Sequence, residues 1–180
     1  MSEAWSGKTV LIQQRANGVA EAQPETESMI LLLEERPEEV TNMERSIPGR
    51  VFASSSYKDS ASHIKVAEFA LMRARRLVEA GKDVFVLIDS VTELARAYNF
   101  ELRDPRRLLD LVLSPVALDL TLDILNFLVH VAGGGYLSIL ASAVAGRESD
   151  VDGRNPFSYA GLSSSATGRA DLTCCDRHVT

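Results

Sequence analysis

The stretch that decides the fold is MILLLEERP, residues 29–37. It begins with five apolar residues, 29–33, and then changes abruptly to Glu34, Glu35 and Arg36. A short continuous apolar run is typical of a strand buried on both faces, in a parallel sheet covered by helices. Sheets of this kind bind their ligands at the carboxyl ends of the strands. The two glutamates are therefore predicted to lie at the functional edge of a sheet.

A second apolar run, residues 84–88, ends in the same way, in Asp89 and Ser90. The carboxyl ends of parallel strands meet at one edge, so we expect Asp89 to lie near the end of the first strand. Near the start of the chain, Gly7-Lys8-Thr9 opens a helix predicted to run to about Ala20. Together these three features predict a nucleoside triphosphate site.

The segments between and beyond these strands alternate as in an α/β domain. Pro37, followed by two glutamates, indicates a helix start, and Gly81 lies where a helix would end. Strands alternating with helices imply right-handed crossovers and a three-layer domain with a mostly parallel central sheet. The further predicted elements are helices over residues 37–47, 60–81 and 91–101, an apolar helical region at 108–131 split at Pro115, and strands at 50–54, 136–143 and 170–173.

The predicted helix over residues 60–81 has a basic polar face. This face holds Lys65, Arg73, Arg75 and Arg76, with Lys82 just beyond. A solvated face is the favoured interpretation, and a contact with nucleic acid or a neighbouring subunit is the alternative.

Composition limits the class of protein. The 180 residues are 46% hydrophobic, which predicts a folded domain with a sizeable core. A net charge of −6 argues against general affinity for a phosphate backbone, although a local basic patch or a basic channel formed on assembly stays open. Without a membrane-spanning run or a signal peptide, we expect a cytoplasmic protein. The adjacent Cys174 and Cys175 are expected to be reduced thiols.

Gly7-Lys8-Thr9 matches the last part of a P-loop, G-x-x-x-x-G-K-[ST], although Ser2 stands at its first glycine. In such a loop the backbone amides bind phosphate at a helix N-terminus, the lysine reaches the β and γ phosphates, and the hydroxyl binds Mg²⁺. Ser6, Gly7, Lys8 and Thr9 are the predicted nucleotide-binding residues. The alternative is a chance match at a helix start.

The two strand ends support the P-loop interpretation. ATP hydrolysis requires a carboxylate that orients the attacking water, and Glu35 is placed for that role. It also requires an acidic residue at the end of an apolar strand to hold Mg²⁺, which Asp89 satisfies together with Thr9. The alternative is that Glu34 and Glu35 only solvate the end of the strand.

Two long segments resemble the family of bacterial transcription termination factors called Rho. They are LLLEERPEEVTNMERSIPGRVFAS at 31–54 and VAEFALMRARRLVEAGKDVFVLIDSVTELARAYN at 66–99. The resemblance implies a RecA-like P-loop NTPase fold that binds ATP and Mg²⁺. It further implies a ring-shaped hexamer that hydrolyses ATP between subunits while drawing RNA through its centre. By matching position, Lys8 and Thr9 resemble the phosphate and Mg²⁺ residues, Glu35 the catalytic carboxylate, and Asp89 the Walker-B residue.

The sequence also departs from this family. It has no counterpart of the RNA-binding OB domain, and the region that would face RNA is mostly leucine, valine and aspartate, with few basic residues. His130 within it is expected to be a packed residue. Glu34 replaces the family's usual aspartate, which keeps the charge. Arg169 and Arg177 are both open as substitutes for the arginine finger.

The resemblance divides the chain into a RecA-like ATP-binding core at 1–144, with a divergent helical region at 103–132, and a loop-rich segment at 145–180. The first hypothesis is a Rho-like, RNA-dependent ATPase of helicase type, related to transcription termination, with weak or partner-dependent activity. The alternative is a non-catalytic assembly or protein-interaction module. Whether the sequence is a fragment, whether ATP is hydrolysed, and whether RNA binds are left open by the residues alone.

Overall fold

The computed structural model describes residues 8–102, 114–129, 134–142 and 172–174. These residues form five helices and five strands. In chain order the elements are α1 Lys8–Ala22, β1 Glu27–Glu35, α2 Pro37–Ser46, β2 Arg50–Ser55, α3 Ser60–Glu79, β3 Val84–Asp89, α4 Val91–Glu101, α5 Pro115–Val129, β4 Leu137–Ser142 and β5 Leu172–Cys174.

The strands form one sheet in the order β2-β1-β3-β4-β5, and every neighbouring pair is parallel. All six residues of β3 are buried, as are Ser28 to Leu33 of β1. Continuous burial requires helices on both faces of the sheet. The sequences of these strands are therefore unbroken apolar runs and do not alternate between apolar and polar residues.

The side chains of each strand divide between the two faces of the sheet. Met29, Leu31 and Leu33 face one cluster, which α3, α4 and α5 cover. Ile30 and Leu32 face the other, where Ile12 and Ala16 of α1 and Met43 of α2 pack. The domain therefore has three layers, as predicted.

Local signals in the sequence fix the helix ends. Pro37 is the first residue of α2, and the Asp59 carboxylate accepts a hydrogen bond from the Ser62 backbone N–H at the start of α3. Gly81, just past α3, has a φ of +82°, a conformation that glycine adopts without steric cost. Pro115 begins α5, where the Ser114 hydroxyl accepts a hydrogen bond from the Ala117 N–H.

The elements confirm the predicted order, with small shifts at the ends. β1 begins at Glu27, two residues before the apolar run, because residues 27 and 28 already pair with β3. Residues 103–113 and 130–133 lie outside the described part, so the predicted division at 103–132 and 145–180 stays a prediction. Residues named in the sequence analysis also lie outside it, among them His130, Arg169, Cys175 and Arg177.

Candidate functional site

The carboxyl edge of the sheet brings the predicted acidic residues together. β1 ends at Glu35, β3 ends at Asp89, and β4 ends at Ser142. The strand register pairs Leu32 with Asp89, and Asp89 with Ser142, so β3 and β4 end at the same level and β1 continues to Glu35 beyond it.

Asp89 is buried at this edge, with only 1% of its surface exposed. Its Oδ1 accepts a hydrogen bond from the Ser142 hydroxyl at 2.6 Å. Along β3, Phe85 and Leu87 face α1 and α2, so the alternation of side chains places Asp89 on that same face. Asp89, the predicted Mg²⁺ ligand, is therefore a buried carboxylate on the face of α1.

Ser90 follows Asp89 and begins the next helix. It is buried, and its hydroxyl accepts a hydrogen bond from the Glu93 N–H at 3.4 Å, which caps α4. The buried position of Asp89 is thus fixed on one side by the strand pairing and on the other by a helix start.

β1 does not end regularly. Leu33 pairs with Ser54 and Glu35 with Ser55, so Glu34 is an extra residue in β1, a β-bulge. Glu34 has a φ of +60°, the left-handed region that few non-glycine residues adopt. Its carboxylate is about half exposed and lies 4.0 Å from Nε2 of His63, measured from Oε1.

Glu35, the predicted catalytic carboxylate, is half-buried just beyond this bulge. Its backbone carbonyl accepts a hydrogen bond from the Ser56 N–H at 3.3 Å, which joins the end of β1 to the loop after β2. The structure therefore places both Glu35 and Asp89 at the carboxyl edge, on neighbouring strands.

The start of α1 lies at this edge as well. Residues 23–26 join the end of α1 to the amino end of β1. Since α1 packs along β1 and β3 through Ile12 and Ala16, and a 15-residue helix is roughly 22 Å long, its first turn extends towards the opposite, carboxyl edge. Lys8 and Thr9 are the first two helical residues, while Ser6 and Gly7 and the side chains of Lys8 and Thr9 lie outside the described part.

Sequence reasoning did not identify two side chains at this edge, Ser142 and His63. Ser142 closes the apolar run of β4, so its position at a strand end was a usable signal. His63 faces Glu34 from the first turns of α3 and is 3% exposed, and no sequence pattern linked these two residues. Among the described residues no group of three potential metal ligands occurs.

A cavity of about 580 Å³ opens at the opposite, amino edge of the sheet. Ser28, Gly49, Arg50 and Lys82 are among its lining residues, and Lys82 Nζ lies 2.6 Å from Glu27 Oε1. The hydrogen bond and charge of Lys82 hold the pKa of the Glu27 carboxyl below its usual value. The predicted site residues are at the other edge of the sheet.

Three of the basic residues on and just beyond the polar face of α3, Arg75, Arg76 and Lys82, form ion pairs within the chain. Glu79 pairs with Arg75 at 2.8 Å and with Arg76 at 3.0 Å, and the hydrogen bonds from these arginines lower the pKa of the Glu79 carboxyl. These ion pairs support the interpretation of a solvated face over that of a nucleic-acid contact. In the described part of the chain, no helix is both long and apolar enough to cross a membrane.

Comparisons with known proteins show what the chain is similar to. No protein-family model matches the sequence. The chain is 44% identical over 147 residues to transcription termination factor Rho of Bacillus subtilis (strain 168), which covers 82% of this chain and 34% of that protein. It is 41% identical over 147 residues to the Rho factor of Streptomyces lividans, covering 82% of this chain and 21% of that protein. The chain thus spans about a third or less of the length of these relatives, within their C-terminal part.

Solved structures place the fold among the RecA-like ATPases. A prototypical ATPase from the type III secretion system of pathogenic bacteria matches with a TM-score of 0.64 and 21% identity, over 80% of this chain and 43% of that one. The assembled ATPase EscN of enteropathogenic E. coli matches with a TM-score of 0.62 and 19% identity, over 87% of this chain and 37% of that one. At these identities the likeness shows the fold alone.

Proposed function

Because this chain is related to the C-terminal part of transcription termination factor Rho, we propose that it is an ATP-binding motor domain of the Rho type. One observation carries the proposal: Glu35 and Asp89 end neighbouring strands at the sheet edge towards which the first turn of α1 extends. This is the arrangement that ATP hydrolysis in a RecA-like fold requires.

This placement supports the following roles for the residues. Lys8 and the backbone amides of Ser6 and Gly7 bind the phosphates at the helix N-terminus, where the helix dipole favours negative charge. Thr9 and Asp89 hold Mg²⁺, which neutralises charge on the phosphates when it is bound. A carboxylate and a hydroxyl are hard oxygen donors, so the residue types of Asp89 and Thr9 fit Mg²⁺.

Glu35 orients the water that attacks the γ-phosphate and accepts its proton. A carboxylate that is only half-buried stays accessible to water, which suits this role. An arginine from a neighbouring subunit completes the site, and RNA stimulates turnover. An arginine finger is worth on the order of 10³ to 10⁵ in rate, so the isolated chain is expected to turn over slowly.

The test is the binding of a fluorescent ATP analogue with Mg²⁺, by the parent and by Lys8→Ala. We expect saturable binding by the parent and none by the variant, because the lysine charge on the phosphates is lost. Lys65→Ala is the matched control, since Lys65 is an exposed lysine on α3, on the other side of the sheet. Equal affinity in Lys8→Ala and the parent would contradict the proposal. Turnover with and without RNA then tests the motor activity.

A second candidate function is a non-catalytic assembly or interaction module. The observation in its favour is apolar exposure on α5, where Val116 is 56% and Leu120 is 36% exposed. Exposed apolar surface of this kind marks interfaces when it is contiguous. Size-exclusion chromatography with light scattering distinguishes the two: assembly without nucleotide, together with no nucleotide binding, would favour the module. A monomer that does not respond to nucleotide would remove the role of α5 in self-assembly.

A further inference from the structure

The bulge at Glu34 decides which of two adjacent glutamates faces α1. In a regular strand, Glu34 would follow Ile30 and Leu32 to the α1 face, and Glu35 would follow Leu31 and Leu33 to the opposite face. The catalytic position would then be occupied by Glu34. The observed strand is not regular at this point.

Two contacts show the outcome of the bulge. The Glu34 carboxylate lies 4.0 Å from His63 of α3, so it has turned to the face of Leu33. Glu35 pairs with Ser55, and Ser55 follows Val51 and Ala53, which pack on the α1 and α2 face. Since paired residues of parallel strands point to the same face, Glu35 is on the face of α1.

Asp89 shares this face. It pairs with Leu32, whose side chain packs in the same cluster as Ile12 and Ala16 of α1. A one-residue change of register inverts every later side chain, so the extra residue alone is enough to bring Glu35 to the side of Asp89.

We propose that Glu34 and His63 are positioning residues: the left-handed bulge at Glu34, held by its contact with His63, turns Glu35 to the nucleotide face. His63 is suited to this because it is 3% exposed and its Nδ1 is buried without a hydrogen-bond partner in the described part of the chain. Glu34 is a charged neighbour on the Nε2 side of this ring. The effect on hydrolysis rests on the proposed ATPase function. The face of the sheet on which each glutamate side chain lies is independent of nucleotide.

The first experiment tests, without nucleotide, which glutamate lies on the His63 side of the sheet. It measures the side-chain ¹⁵N resonances of His63, which are assigned by their loss in His63→Gln. We expect Glu34→Gln to shift these resonances and Glu35→Gln to leave them in place, because Glu34 lies 4.0 Å from the ring and Glu35 is on the opposite face of the sheet. A shift caused by Glu35→Gln alone, or by neither variant, would overturn the proposal.

The consequence is tested with two substitutions at one position. Glu34→Gly adopts a positive φ freely, whereas Glu34→Val strongly disfavours it because valine is β-branched. We expect both variants to bind Mg²⁺ and the ATP analogue within about twofold of the parent. The hydrolysis rate is expected to fall on the order of 10²-fold in Glu34→Val, as for a misplaced catalytic group, and to fall less in Glu34→Gly, which adopts the positive φ but loses the contact with His63.

Equal hydrolysis by the valine and glycine variants would show that the bulge conformation does not position Glu35. A fall in affinity that parallels the fall in rate would indicate a structural role only. If the parent binds but does not hydrolyse ATP, the proposed activity is wrong. The His63 resonances still show which glutamate lies on the His63 side of the sheet.

Discussion

Asp89 is a carboxylate that the fold holds away from solvent at the carboxyl edge of the sheet. The Ser142 hydroxyl donates a hydrogen bond to its Oδ1 at 2.6 Å. Hydrogen bonds to a charged group are among the stronger ones in proteins, and a buried acceptor that loses its donor is costly. Ser142 therefore supports both the stability of β4 and the orientation of Asp89.

Ser142→Ala is expected to lower the free energy of unfolding by about 1–3 kcal/mol, since it removes a donor from a buried carboxylate. Urea denaturation measures this. Ser138→Ala is the matched control, because Ser138 is an exposed serine on the same strand and its replacement is expected to change stability by less than about 0.5 kcal/mol. Equal changes in the free energy of unfolding for the two substitutions would show that the hydrogen bond to Asp89 does not contribute to stability.

At the scale of the element, β4 is held in place by the glycines before it. A Cβ atom on Gly135 would overlap the backbone carbonyl of Lys82, and Gly134, with a φ of +131°, approaches the carbonyl of Val78 in the same way. The Gly135 N–H also donates to the Val78 carbonyl at 3.0 Å. These glycines allow the chain entering β4 to pass directly over the end of α3.

Gly135→Ala is expected to destabilise the domain by about 1–3 kcal/mol, because the backbone must move to accommodate the methyl group. Thermal or urea unfolding measures this. The matched control is Gly18→Ala in α1, where a Cβ atom would have no neighbour within 4 Å. Alanine is preferred to glycine in a helix, so this substitution is expected to stabilise by up to about 1 kcal/mol. An unchanged free energy of unfolding in Gly135→Ala would contradict the close approach of Gly135 to the Lys82 carbonyl.

The elements also show how far the sequence determines the fold. The runs of β1 and β3 and the helix ends at Pro37, Asp59 and Gly81 could be predicted because each rests on local chemistry. The bulge at Glu34 could not, since its cause is the pairing with β2 and the neighbourhood of His63, which are distant in sequence. The edge with Glu35 and Asp89 was therefore predictable, while the reason Glu35 and not Glu34 is presented there required the structure.

At the scale of the whole molecule, Tyr98 links α4 to α3. Burial raises the pKa of the Tyr98 phenol to about 12, and the charge and hydrogen bond of Glu68, with the Tyr98 hydroxyl 3.4 Å from Glu68 Oε1, act in the same direction. The folded state therefore keeps the phenol proton at a pH where the unfolded chain, with an ordinary pKa of 10.0, has lost it.

The direction in which Tyr98 changes folding stability with pH follows from proton binding. Because the folded state binds the proton more tightly, the stabilisation is fully present below about pH 10 and is lost as the pH rises through about 12. Unfolding followed by circular dichroism, with phenolate absorbance in parallel, is expected to show this alkaline loss. Tyr98→Phe is expected to weaken the pH dependence in this range. An identical alkaline transition in Tyr98→Phe would assign the loss to other groups.

The all-parallel order of the sheet has a consequence for how the chain folds. Glu27 pairs with Val84, and Val84 pairs with Leu137, so neighbouring strands are distant in sequence and none is joined to the next by a short hairpin. Folding that depends on such distant pairings is slow, because each loop must close before its contacts form. During synthesis, at about 5–20 residues per second, the apolar run of β1 is exposed for several seconds before β3 exists. The same unbroken run that builds the site is therefore a segment that we expect chaperones to protect on the ribosome.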